Sequence, residues 1–187
     1  GIDVGRSPGA IFLQEQPDGQ TLVLSEITGA DISAVRLADL IKQHVSKYYH
    51  LHEIHYYADP AFTAMSQTRD ESVSDVLYNA GLLVFPASTN SVDIRLETVR
   101  GMLQTLIMGK PALVINKQCE ILIEALIGGY HYKEEALGGG RFKDRPEKNQ
   151  YSHVADALQY ALLGAGNDPR MNGDAYHVPK VLGLYGP

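Results

Sequence analysis

Three carboxylates stand where regular structure would aim them at one another: Asp3 in Gly1-Ile2-Asp3-Val4-Gly5, Asp59 in Tyr56-Tyr57-Ala58-Asp59-Pro60, and Asp156 in Ser152-His153-Val154-Ala155-Asp156. Asp3 lies between Ile2 and Val4, so strand alternation puts it on the face opposite its apolar neighbours. An acid in a strand is disfavoured, and without compensation its pKa rises. Asp59 ends an alternation of Ile54, Tyr56 and Ala58 against His55, Tyr57 and Asp59, closed by Pro60, which cannot donate to a ladder. If that strand runs parallel beside the first, Asp3 and Asp59 face each other across a spacing of about 4.8 Å. Two carboxylates so close share a proton or take a divalent cation. Asp156 is expected in the first turn of the last helix, where the macrodipole favours its ionised form. Three acids with no Cys or His pair make a hard oxygen set suited to Mg²⁺ or Mn²⁺ and not to zinc, and two such ions about 3.5–4 Å apart support hydrolysis of a phosphodiester.

The elements that must position these acids are legible in outline. Strands are expected at the start, from Gly9 to Gln16 and from Thr21 to Ile27, joined by the turn Pro17-Asp18-Gly19. A cap within Thr28–Asp31 should open a helix with Ala34, Leu37, Ala38, Ile41 and Val45 on one face. A strand ending at Asp59, a short helix from Asp70 to Ala80 and a buried strand Leu82–Pro86 follow. Asn90 or Ser91 then caps a helix whose stripe Val92, Leu96, Val99, Leu103 and Leu106 reads as core, stopped by Gly109 and Pro111. Leu113–Ile115 is a short extended piece, and Cys119 to Ile127 an amphipathic helix. Residues 130–149, around Gly138-Gly139-Gly140, suggest a mobile hairpin with a basic second arm. The last helix spans Ser152 or His153 to Leu163, with Ala155, Ala157 and Ala161 small enough to bring its axis close to a sheet. Residues 165–187 read as a tail. This order makes an α/β fold, a mixed sheet with helices on both faces.

With 187 residues, 44% of them hydrophobic, the chain suits one domain with a sizeable core. Its single cysteine, Cys119, excludes an internal disulfide and a Cys-based zinc site, suits a reducing compartment and reads as a small buried apolar residue. No membrane span or secretory signal is evident, so the protein is expected to be soluble and unsecreted. Because the sequence begins inside a strand without a Met, it is expected to be cut from a longer polypeptide. The net charge of −6 argues against a general nucleic-acid coat but leaves DNA possible, because bound cations reverse the local sign of an acidic site.

The three acid motifs together resemble the nuclease domain of tailed-phage terminase large subunits, which has the ribonuclease-H-like fold. The resemblance covers nearly the whole chain. Asp3 in Gly-Ile-Asp-Val-Gly-Arg-Ser is similar to the family's first motif, Asp59 in Tyr-Ala-Asp-Pro-Ala to its second, and Asp156 in Tyr-Ser-His-Val-Ala-Asp-Ala-Leu-Gln-Tyr to its third. The segments Asn90–Arg100, with Arg95, and Cys119–Tyr132 are similar to connecting segments. Ribonuclease H proper takes its second acid from the first helix; here that helix offers Asp39 on its polar face with Arg36 and Gln43, so Asp59 is preferred. Ala155 and Ala157 flank Asp156 where some relatives carry a fourth acid.

The resemblance implies Asp3, Asp59 and Asp156 as catalytic metal ligands for two Mg²⁺ or Mn²⁺ ions. It implies an endonuclease cutting concatemeric double-stranded viral DNA at the start and end of genome packaging. The implied domain is 1–164, without the family's packaging ATPase. No Gly-x-x-x-x-Gly-Lys-[Ser/Thr] occurs, and Gly109-Lys110 is followed by Pro111. Implied partners are DNA, that ATPase domain, the portal ring and the small terminase subunit, in the host cytoplasm at the portal vertex and not in the mature virion. Arg6, Arg141, Lys143, Arg145 and Lys148 are candidate DNA contacts, and His153 a candidate donor behind the ligands. A Holliday-junction resolvase-like nuclease and a non-catalytic portal or DNA docking module remain alternatives.

Overall fold

The structure, a computed structural model, describes residues 1–5, 7–64, 72–134 and 141–170. Arg6 and the tail from residue 171 lie outside the described residues, as does the triple-glycine tip of the hairpin.

Strands β1 (Ile2–Asp3), β2 (Gly9–Glu15) and β3 (Thr21–Thr28) pair antiparallel, the last two joined by the Pro17-Asp18-Gly19 turn. Helix α1 (Ala34–Tyr48) carries the chain back, so β4 (Tyr56–Ala58) pairs parallel with β1, Ile2 facing Ala58. Helix α2 (Val73–Asn79) leads into β5 (Val84–Pro86), parallel to β4. After α3 (Val92–Gln104), a small hairpin of β6 (Leu106–Ile107) and β7 (Lys110–Pro111) precedes β8 (Leu113–Ile115), which lies parallel to β3. The six-stranded sheet therefore has the order β5-β4-β1-β2-β3-β8. Helix α4 (Glu120–Glu124) continues into a π-type turn, Ala125–Gly129, ended by the positive φ of Gly128. A separate hairpin, β9 (Tyr132–Glu134) and β10 (Phe142–Pro146), then delivers the chain to α5 (Ser152–Gly164).

Alternation along the strands divides the core. Ile2, Ala10 and Ala58 pack with Leu37, Ala38 and Ile41 of α1, while Ile11 and Val23 face the opposite way, toward Leu158, Ala161 and Leu162 of α5. Each large side chain so enclosed contributes about 1.5–3 kcal/mol. Asp3, one step from Ile2, thereby faces the α5 side. Helix α5 lies across β1, β2 and β4 and against α3. Its approach is close because small residues meet there: a Cβ on Gly9 would lie 2.9 Å from the Val154 backbone, and one on Gly5 would strike the His153 ring. Ala155, Ala157 and Ala161 are all buried, as their size suggests.

Four expectations need correction. The α1 cap is Ser33, whose hydroxyl accepts from Arg36 N–H, rather than a residue within Thr28–Asp31. Helix α3 ends at Gln104, and its buried face is Arg95, Thr98 and Val99; Leu103 and Leu106 are exposed, because α3 packs on α5 through the turn that carries Arg95. Helix α5 begins at Ser152, so Asp156 lies beyond its first turn, and the macrodipole, which fades within one turn, is not what holds its charge. The strand expected to be buried at Leu82–Pro86 is shortened to β5 (Val84–Pro86) at the edge of the sheet, where Leu83 and Phe85 are exposed. Cys119 is fully buried, as expected. Residues 165–170 are docked: the buried Asp168 accepts from the Ser88 hydroxyl and from Arg170.

Candidate active site

The register that pairs Ile2 with Ala58 sets Asp3 and Asp59 one position further along adjacent parallel strands. Asp59 leaves β4 as the cap of a short 3₁₀ turn, Pro60–Thr63, and its carboxylate accepts from Ala61 N–H at 2.8 Å. Proline at the first position of that turn has no N–H to satisfy, so the acid side chain serves the next one. Asp156 reaches the same region from α5. Tyr160 follows Asp156 by one turn of α5, and its buried phenol is sensitive to the charges around it. Burial pushes that phenol well above its ordinary pKa; the Arg95 guanidinium opposes the rise, and Asp59, Asp3 and Asp156 add to it.

Each acid is held by a protein partner. Asp3 Oδ2 lies 2.5 Å from His153 Nδ1, the geometry of an imidazole N–H donating to a carboxylate. Asp156, whose side chain is 2% exposed, is surrounded. Its Oδ1 accepts from the Tyr130 hydroxyl at 3.0 Å and lies 3.3 Å from Arg95 Nη1, and its Oδ2 accepts from Lys148 Nζ at 2.6 Å. Arg95 is itself buried; it donates to the Tyr160 hydroxyl at 2.9 Å, and its guanidinium stacks 4.9 Å from the centre of that ring. Its Nε finds no acceptor among the described residues. Burial, then the neighbouring Asp156 charge, keeps the Tyr130 phenol protonated, while a hydrogen bond from Gln159 works the other way. Asp156 is thus a carboxylate held by one hydroxyl and two cations.

Among the described residues no three His, Cys, Asp or Glu side chains are gathered closely enough to hold a metal ion as they stand. The donors nevertheless fit a hard divalent cation in type, since all three are carboxylates. Among the other candidates, Arg141, Lys143 and Arg145 lie exposed on the β10 arm, and Lys148 lies apart from them, at Asp156. Sequence reasoning assigned no role to Arg95, Tyr130 or Tyr160. For Arg95 a signal existed: it shares helical spacing with Thr98, Val99 and Met102, an arginine on an otherwise inward face.

No family model matches the chain, and no curated protein matches it. Solved structures do. The chain is similar to the nuclease domain of the bacteriophage SPP1 large terminase, solved with bound Mn, at 16% identity over 88% of this chain and 84% of that one, with a TM-score of 0.52. It is similar to the P22 large terminase nuclease domain at 16% identity over 88% and 79%, with a TM-score of 0.61. It is also similar to the large terminase nuclease of the thermophilic phage G20c, solved with bound cobalt, at 14% identity over 87% and 78%, with a TM-score of 0.53. At such identities the likeness speaks for architecture, and the strand order and pairing agree with it. The chain has the ribonuclease-H-like fold of phage large terminase nuclease domains.

Proposed function

We propose that this chain is a divalent-metal-dependent endonuclease that cuts double-stranded viral DNA during genome packaging. The observation that supports the reading is the placement of Asp3 and Asp59 one position beyond the Ile2–Ala58 pair on adjacent parallel strands, with Asp156 on the helix packed across β1, β2 and β4, in a fold shared with terminase nucleases.

Asp3, Asp59 and Asp156 would hold one or two Mg²⁺ or Mn²⁺ ions. When bound, such ions supply positive charge to the scissile phosphate and lower the pKa of water. The chain's own residues set the frame. Arg95 and Tyr130 fix Asp156 from behind, and His153 orients Asp3. Arg141, Lys143 and Arg145 offer phosphate contacts along β10, which register the duplex without reading sequence. Arg6 belongs to the same proposal through its place three residues after Asp3 in the sequence. Action with a packaging ATPase domain, the portal ring and a small terminase subunit, in the host cytoplasm at the portal vertex, follows from the same reading, as does 1–164 as the nuclease unit. No helix of the described residues is long and apolar enough to cross a membrane.

The test is cleavage of plasmid and linear duplex with Mn²⁺ or Mg²⁺. Nicking and linearisation that stop with EDTA and vanish in Asp3→Asn, Asp59→Asn and Asp156→Asn are expected. Retained cleavage in the Asp3 or Asp156 variant refutes the assignment, and a strong preference for four-way junctions would shift the substrate to branched DNA.

A further inference from the structure

We propose that Lys148 is an internal counter-cation of Asp156 that a divalent ion must displace, so that metal loading is coupled to the position of the β9–β10 hairpin. The inference rests on the nuclease reading and adds a control to that site.

The two oxygens of Asp156 are treated differently. Oδ1 is served by Tyr130 and by Arg95, and Arg95 is enclosed with Tyr160 and cannot leave without unpacking α3 from α5. Oδ2 is served by Lys148 at 2.6 Å. The lysine side chain is 70% exposed although the carboxylate it meets is 2% exposed. An ammonium is a compact, strongly hydrated point charge on a flexible stem. It can therefore exchange into water at little cost, and the oxygen it vacates is a hard ligand atom. Arg95 thus supplies permanent compensation and Lys148 a replaceable one.

The residues on either side of Lys148 determine when it can reach Asp156. Glu147 belongs to the hairpin: its N–H donates to His131 C=O at 2.8 Å, and its carboxylate accepts from Lys133 Nζ at 2.7 Å. Asn149 belongs to the start of α5: its N–H donates to the Ser152 hydroxyl oxygen, and its amide donates to Gly129 C=O, both at 2.7 Å. Lys148 bridges these two anchors, so a hairpin drawn away from α5, as by phosphates on Arg141, Lys143 and Arg145, pulls the ammonium with it. By linkage, whatever moves the hairpin favours the metal, and the metal favours the moved hairpin by the same factor.

The experiment measures Mn²⁺ binding to the whole chain without DNA, by calorimetry or by the EPR signal of free Mn²⁺. Lys148→Met is compared with wild type and with Lys143→Met, which removes one positive charge from the β10 arm instead. Lys148→Met is expected to bind Mn²⁺ roughly tenfold tighter, the factor for a competent state about one-tenth populated, and Lys143→Met to stay within about twofold of wild type. Mn²⁺ should also speed amide exchange in 142–147 of the wild-type protein and not of Lys148→Met. Equal Mn²⁺ affinity in wild type and Lys148→Met overturns the exchange while leaving the nuclease reading standing, and so does an equal gain in both variants. Absence of Mn²⁺ binding in all three proteins overturns both.

Discussion

Replacing Arg95 with methionine is expected to cost the fold about 3 kcal/mol, the lower end of the range for breaking a buried ion pair by removing one partner. The pair qualifies as buried, since the side chains of Arg95 and Asp156 are 5% and 2% exposed. At their 3.3 Å separation, an effective dielectric of about 20 gives an attraction of about 5 kcal/mol. Desolvation of the guanidinium, no longer required in the variant, offsets part of that. Lys148 and Tyr130 stay on the carboxylate, which argues for the low end, whereas the Tyr160 hydroxyl loses its donor, worth about 1 kcal/mol. Methionine restores most of the volume, so the loss is electrostatic and not a cavity. Against a total of roughly 5–15 kcal/mol, the urea midpoint should fall by about 1.5 M at a slope of about 2 kcal/mol/M. A double-mutant cycle with Asp156→Asn isolates the pair, and a coupling of about 2 kcal/mol or more is expected. A loss below about 1 kcal/mol for Arg95→Met, or strict additivity with Asp156→Asn, would refute the account of Arg95 as the fixed counter-charge.

Two further outcomes follow from the packing. Gly9→Ala puts a methyl 2.9 Å from backbone atoms of Val154, which cannot swing aside, so β2 and α5 must part at a cost of about 1–3 kcal/mol; an unchanged Tm would show that α5 does not lie this close. Burial, and then the Glu26 charge, pushes the Cys119 thiol up to about 11. Native protein at pH 8 should therefore resist a thiol reagent that labels it once unfolded. Because the folded thiol holds its proton more tightly than the unfolded one, this group's contribution to stability is complete below about pH 9 and declines between there and about pH 11. Labelling of native protein at the rate of a free thiol counts against the burial.

The strands could be read because each carries its own signal. Ile2 and Val4 against Asp3, and Tyr56 and Ala58 against Asp59, show the period of two that a sheet with differently filled faces demands, and Pro60 marks where the ladder stops. The short helix before Gly81 and the hairpin of β9 and β10 were equally local in origin, the one closed by a glycine and the other marked by its turn residues. Helix α3 failed this kind of reading: five apolar residues lay at helical spacing, but the face that the fold buries holds Arg95 and Thr98. Propensity and amphipathicity describe a helix against an average interior, and here the interior beside α5 is polar.

The sequence by itself determined the residue types at the candidate site and the small-residue surface that lets α5 come near. These follow from local patterns, because strand alternation, turn chemistry and side-chain size act over a few neighbours. Only the tertiary structure decided what each acid meets. That His153 serves Asp3, that Arg95 and Tyr130 stand behind Asp156, and that Lys148 covers its remaining oxygen are contacts spanning 150, 61, 26 and 8 positions. The electrostatic state of a buried carboxylate depends on charges and donors within a few ångströms in space, whatever their separation along the chain.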